Sequence, residues 1–503
     1  MWGAKLTSRR RSLSVVAYAA QIRNVVTPRH GGCVENVAEV EERRALGKAL
    51  RQKVQRRDHA VIGNVDRDPI SLLEESSAGR VSRLIPLRYG RMIASPFTFY
   101  RGSAIIQAHD LAGTPNSSLT MQVCGDCHLM NFGGFATPER ALLFDVNDFD
   151  ETSPGPWEWD LKRLAASFVV AARHLRHGAT AADNMVYQVA NSYRDRMAEY
   201  AEMAILDTWY DRITFERLLE SAVNPEVQKR IRRAMERAAA RTHESLLPKL
   251  TEHDGDRWRI LDAPPAVFHV HGAQTLFEAD DDWLSIEDPS KLIDQSFSDY
   301  KSTLAADRRR LLDHFKLQDM AFKVVGVGSV GTRCLILLLI DGHGKPLFLQ
   351  VKEATKSVVA RYFKSAAVSH EGRRVVDGQR LMQAASDLFL GWSKGPFGRH
   401  FYIRQLRDMK FSVDIELMDA DLLATYGQVC GWVLARAHAK ASGHAAEISG
   451  YLGASDRMAE SLIAYSNAYA DQVERDYDLF VKACRSGRLE ARTDVDMAAD
   501  FRV

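Results

Sequence analysis

The residues most able to do chemistry fall into two clusters far apart in the chain. Gly326, Val327, Gly328, Ser329, Val330 and Gly331 have the spacing G-x-G-x-x-G, and one hairpin later the apolar stretch 347–351 ends in a single lysine, Lys352. Glycines so spaced let backbone N–H groups approach phosphate oxygens, and a lysine at the end of such a strand reaches the α- and β-phosphates. Well upstream, Gly125, Asp126, His128 and Asn131 form G-D-x-H-x-x-N, and Asp145, Asn147, Asp148, Asp150 and Glu151 follow after a short turn. Phosphoryl transfer needs a carboxylate near the acceptor hydroxyl and oxygen ligands that hold Mg²⁺ against the β- and γ-phosphates of ATP. Asp126, His128 and Lys352 are the catalytic candidates; Asn131, Asp148 and Asp150 are the metal candidates, with Asp145 an alternative because Asp148-Phe149-Asp150 blurs the register. Gly326, Gly328, Ser329, Gly331 and Lys352 are the nucleotide-binding candidates. An acid on the following helix usually holds such a lysine, and Asp377 is preferred over Glu371.

Each feature has an ordinary counterpart. The glycine spacing is weak alone. In a dinucleotide fold it would open a helix, but residues 332–340 read as a strand that ends at the turn Asp341-Gly342-His343-Gly344. A strand-end lysine is commonly solvated, and Asp, Asn and Gly are common in polar turns and helix caps. Neither alternative explains the joint spacing. Cys124, Cys127 and His128 also fit C-x-x-C-H, so haem attachment, half a zinc site or a redox dithiol compete for the same segment. Haem needs export, and zinc needs a second ligand pair, which Cys33, Cys334, Cys430 and Cys484 do not supply by spacing.

These groups must be positioned by a mixed α+β chain. Residues 121–159 alternate short apolar runs with Gly, Asp, Asn and Pro and predict strands and loops, whereas 160–247 show helical spacing. A strand-like insert follows at 258–270 and a helix at 291–315. From 321 to 351 the pattern predicts strand, glycine turn, strand, hairpin, strand, with a helix over 368–385 and a strand over 401–405 completing a small sheet unit. Helical spacing returns over 422–442 and 456–484.

A glycine loop joining two antiparallel strands is what protein kinases place over ATP phosphates. The two acidic loops resemble the catalytic loop and metal-binding Asp of the aminoglycoside and choline kinase group, and Asp160-Leu161 resembles that group's downstream pair. The resemblance implies Asp126 as base, Asn131 and Asp148 as metal ligands, and Asp160 as a brace, with His438 structural on a supporting helix. Longer stretches, Arg91-Met92-Ile93-Ala94-Ser95-Pro96-Phe97, Asn147-Asp148-Phe149-Asp150-Glu151, Gly155-Pro156-Trp157-Glu158-Trp159-Asp160-Leu161-Lys162-Arg163-Leu164, Val325 to Arg333, Gln350-Val351-Lys352-Glu353-Ala354 and Arg404-Gln405-Leu406-Arg407-Asp408-Met409-Lys410, resemble the bacterial family called domain of unknown function 2252. That resemblance implies kinship with the kinase-like superfamily and leaves the substrate unassigned.

The expected architecture is a two-lobed, kinase-like α+β fold in circularly permuted order. It comprises a basic arm and leader helix (1–60), a mainly helical lobe carrying the catalytic and metal loops (61–319), a glycine-loop sheet lobe (320–410) and C-terminal helices completing the helical lobe (411–503). A chain of 503 residues is long enough for two packed units with a cleft between them. With 67 basic against 65 acidic residues, the net charge of +2 gives no global field for nucleic acid or an anionic membrane. No apolar run approaches the ~18 residues needed to cross a bilayer. Six sparse cysteines fit reduced thiols and a cytoplasmic protein, although the acid-free basic start is shared by transit peptides and disordered arms. The expected function is an ATP- and Mg²⁺-dependent phosphotransferase acting on a small molecule. The alternatives are a nucleotide-binding pseudokinase or nucleotidyl transfer to protein. Arg88, Arg91 and Arg101 are candidate anion contacts, although such arginines are more commonly solvated or paired.

Overall fold

Three apolar stretches between residues 315 and 353 become strands. In the computed structural model, Phe315–Lys323, Cys334–Asp341 and Pro346–Glu353 pair antiparallel in sequence order. The last two are joined by a tight turn in which the Asp341 carboxylate accepts the His343 and Lys345 N–H groups at 2.9 and 2.8 Å. His400–Gln405 and Gly391–Lys394 extend this sheet on one side and Val267–Phe268 on the other, giving six strands. Alternation along the strands splits their side chains between two cores. Leu337, Leu339 and Leu349 pack with Tyr300 and Leu304 on one face, and Ile336, Leu338 and Phe348 with Leu246 and Ile260 on the other.

The described residues are 32–494 apart from 223, 241–243, 256, 272–274, 278–282, 285–288, 365–366 and 407–410. The basic arm and residues 407–410 of the family-like segments lie outside them.

The helical part is built round Trp157–His174, whose residues from Trp157 to Ala172 are all buried. A helix apolar or paired on every side belongs inside a bundle. Ala179–Glu202 and Arg457–Arg485 pack on it, and Ala420–Ser442 packs on Ala179–Glu202. The leader helix Gly32–Leu50 lies on Ala445–Leu452, where Arg43 pairs with Glu447 at 2.8 Å. Helices from before and after the sheet in sequence therefore share one bundle. The result is a mixed α+β architecture, about 55% helix and 15% strand. Among the described residues, no helix is long and apolar enough to cross a membrane.

Candidate active site

Two short strand pairs place the acidic loops. Thr120–Val123 pairs with Ser153–Pro156, and Phe132–Ala136 with Leu142–Val146, so segments 124–131 and 147–152 run between the same two ladders. Gly125 lets them touch. Its φ is +83°, and a Cβ there would lie 2.1 Å from the Glu151 carbonyl oxygen. Asp160, in the first turn of Trp157–His174, accepts the Cys124 and Gly125 N–H groups at 2.6 and 2.9 Å. His438 Nε2 sits 3.2 Å from the same carboxylate, while the Tyr193 hydroxyl is 2.8 Å from His438 Nδ1. Asp160 and His438 thus hold the loop from beneath.

Asp126 Oδ1 is gripped by Arg163, with Nε at 2.8 Å and Nη2 at 2.7 Å. Its Oδ2 lies 3.9 Å from His128 Nε2. Burial pushes the Asp126 carboxyl up, against the pull of Arg163. His128 is buried, and burial followed by the charges of Arg101 and Arg163 holds it well below the usual imidazole range. Because His128 Nδ1 accepts the Met130 N–H at 3.2 Å, the neutral ring carries its proton on Nε2, the nitrogen nearer Asp126. Asn131 donates its amide to the Asp126 carbonyl at 2.7 Å, which leaves its side-chain oxygen for a cation.

Across the cleft, Lys352 Nζ meets Asp150 Oδ2 at 2.5 Å, and the Tyr402 hydroxyl donates to Asp150 Oδ1 at 2.6 Å. Register explains this, since Lys352 and Tyr402 are directly opposed in neighbouring strands and so project from one face. Ser329 of the glycine loop adds a contact to Asp150 Oδ2 at 3.3 Å. Burial opposes ionisation of both partners, yet their attraction prevails: Asp150 is held below the usual carboxylate range and Lys352 well above the usual ammonium range. Asp148 is pushed the other way, by burial and then by the charge of Asp150.

The glycine loop is clamped from behind. Arg80 Nη1 donates to the Gly328 carbonyl at 2.8 Å, Val81 N–H to the Gly331 carbonyl at 2.8 Å, and Arg91 Nη1 to the Gly326 carbonyl at 2.7 Å. Gly331 has φ +85°, and a Cβ there would come within 3.2 Å of Arg80. With the carbonyls so engaged, the N–H groups of 326–329 have no partner among the described residues.

Asp126, His128, Asn131, Asp148, Asp150 and the loop residues Gly326, Gly328 and Ser329 therefore line one cavity of about 150 Å³. Lys352 and Gly331 do not line it: Lys352 is buried behind Asp150, and Gly331 packs against Arg80 and Leu84. Two further expected residues stand elsewhere. Asp377, expected to hold Lys352, instead pairs with Arg373 at 3.1 Å on the solvent side of the helix Glu371–Met382. That helix braces the site through Arg374, which donates to the Thr152 carbonyl and to the Asp150 and Thr355 carbonyls at 3.0 and 2.9 Å, while Glu371 pairs with Arg374 itself. Asp145, the alternative metal ligand, is committed to Arg436 at 2.8 Å, both side chains being 1% exposed, and to the Ala384 N–H.

A hard cation fits oxygen donors such as the Asn131 side-chain oxygen and Asp148, whose Oδ1 accepts only the Asp150 N–H among the described residues, at 3.2 Å. Asp150 is already saturated by Lys352, Tyr402 and Ser329, which leaves Asp148 as the better ligand. The soft-donor alternative fits poorly. Cys124, Cys127 and Asp160 do cluster with ligand atoms within 4.8 Å, but both Asp160 oxygens hold the loop backbone and burial raises both thiols. Arg80, Arg374 and Tyr402 belong to the site without a sequence signal, and Arg163 entered only within the family-like stretch 155–164. Arg163 alone carried a local signal, lying one turn after Asp160 on a helix.

The chain is thus a mixed α+β protein whose acidic cleft is lined by a glycine loop, with a buried lysine bonded to one of its carboxylates. Residues 80–483 match the family described as "Uncharacterized protein conserved in bacteria (DUF2252)", and the chain belongs to it. No curated protein and no solved structure matches it.

Proposed function

We propose that this protein is an ATP- and Mg²⁺-dependent phosphotransferase with a kinase-like fold in permuted order, acting on a hydroxyl of a small molecule. One observation carries the reading: the glycine loop lines a single cleft with Asp126, Asn131, Asp148 and Asp150, and Asp150 is bonded to the buried Lys352 behind it. Permutation is compatible with such a site because catalysis requires convergence in space and not order along the chain.

In this reading the N–H groups of 326–329 cradle the phosphates. Lys352, held by Asp150, reaches their oxygens, and Asn131 and Asp148 hold Mg²⁺, which supplies charge neutralisation when bound. The acceptor oxygen forms a bond to the γ-phosphorus as the bond from that phosphorus to the bridging oxygen breaks. ADP leaves with the electron pair and the hydroxyl proton passes to Asp126. Arg163 fixes the Asp126 carboxylate and keeps Oδ1 engaged, so Oδ2 is the oxygen assigned to the proton.

Labelled ATP and a metabolite pool test this. Transfer of γ-label is expected, with Asp126→Asn lowering turnover about 10²–10⁴-fold at retained ATP affinity. Asp148→Ala is expected to abolish the Mg²⁺ dependence of ATP binding. Transfer of α-label would replace the reading with nucleotidyl transfer, and binding without transfer would replace it with a pseudokinase.

A further inference from the structure

We infer that the larger cavity behind the catalytic loop is the acceptor site, and that it selects an anionic small molecule with an apolar body. The word acceptor rests on the phosphotransferase reading; the anion preference does not. The cavity measures about 1040 Å³, ample for a small organic ligand. It adjoins the acidic cleft. Arg101 lines both, and Met130, on its wall, lies between the cleft residues His128 and Asn131.

Its floor is apolar, including Phe144, Phe215, Ile231, Ala234, Val413 and Trp432. Its charge is mainly basic, five arginines against three acids. Arg230, Arg233 and Arg237 recur at three- and four-residue spacing along the helix Pro225–Ala239 and so form one stripe facing the cavity, joined by Arg101 and Arg196. The three lining acids offset them only in part, each being engaged away from Arg233 and Arg237. Glu226 lies 3.8 Å from Lys229, Asp414 caps the Glu416 N–H at 3.3 Å, and Glu416 is 3.0 Å from His174. Arg196 pairs with Glu199 at 2.7 Å, and Arg230 donates to the Leu417 carbonyl at 2.8 Å. Arg233 and Arg237 have no carboxylate partner among the described residues, and the Arg101 Nε is buried with no hydrogen-bond partner there.

Guanidinium groups beside an apolar floor recognise a carboxylate, sulfonate or phosphate attached to a hydrophobic or aromatic frame. A cationic acceptor, of the kind the aminoglycoside and choline kinase names denote, would meet like charge at Arg233 and Arg237. The neighbouring kinase-like motifs therefore do not carry the acceptor's charge with them.

Anilinonaphthalene sulfonate and the neutral N-phenylnaphthylamine share one apolar frame and differ in the anionic group. Fluorescence titration of the full chain is expected to show the sulfonate bound at least tenfold more tightly, with the preference shrinking as salt rises. Arg233→Glu/Arg237→Glu, at exposed positions and with its fold checked by circular dichroism, is expected to erase the preference. Equal binding of the two dyes, or a preference that survives the double charge reversal, overturns the assignment. Mg·ATP binding to the unaltered chain is measured separately by thermal shift. Its absence alongside an intact anion preference would sink the phosphotransferase reading while leaving the anion site standing.

Discussion

Asp150 receives Lys352 on one oxygen and the Tyr402 hydroxyl on the other, so the state of this one carboxylate ties the sheet to the acidic loops. If the two donors act on a shared acceptor, their removals cannot be independent. Tyr402→Phe is expected to cost about 1–3 kcal/mol, because a buried charged acceptor loses a hydrogen bond. Lys352→Met is expected to cost more, since it strands a buried carboxylate. Denaturant unfolding of both single variants and the double should give a coupling energy of about 0.5–3 kcal/mol, whereas additivity within ~0.3 kcal/mol would separate the donors. Residues of this kind differ in how far sequence reveals them. Asp126, Asn131, Asp148 and the glycines were legible because their spacing is local. Tyr402 was not, because its role depends on pairing opposite Lys352 across strands. Asp377 misled for a related reason: the helix after the lysine strand was correctly expected, but its rotation gives Asp377 to Arg373 and turns Arg374 inward.

At the scale of the element, the helix Trp157–His174 carries both the brace for the loop 124–131 and a buried charge of its own. Lys162 is fully buried one turn after Glu158, its Nζ 4.8 Å from the Tyr465 ring centroid and without a hydrogen-bond partner among the described residues. Burial lowers Lys162 to about 7, with Glu158 pulling the other way. Below that value the folded and unfolded states bind the proton alike, and the folded state bears the full cost of a buried ammonium. Between about pH 7 and the ordinary lysine range the unfolded chain binds more protons, so stability rises with pH. Lys162→Met keeps the length of the side chain and removes the charge. It is expected to raise stability by about 3 kcal/mol at pH 7 or below, the gain shrinking toward pH ~10. Melting temperatures of both proteins across that range check the sign, and a gain that grows with pH would refute it. The periodicity showed a helix from residue 160 but neither its start at Trp157 nor its full burial, because Glu158, Asp160, Lys162 and Arg163 point to different sides and read as exposed until their partners are known.

Across the whole molecule, the bundle is closed by contacts between the beginning and the end of the described chain, which no local pattern announces. Arg67 donates to Asp110 at 2.7 Å and to Asp476 at 2.6 Å, joining groups separated by up to 409 positions in the sequence. Asp110 also accepts the Tyr469 hydroxyl at 3.0 Å, and Gln472 donates to Asp476 at 2.9 Å. Asp110 and Asp476 are 0% and 2% exposed, so their charges are tolerated only while the guanidinium lies between them. Arg67→Ala leaves two buried carboxylates facing each other and is expected to cost about 3–5 kcal/mol. Arg67→Lys restores the charge without the planar fork and is expected to recover only part of that loss. The comparison separates charge from geometry: full rescue by lysine would show that the closure is held by a simple counter-ion, and a denaturation midpoint unchanged by alanine would show that it is not held by this cluster at all.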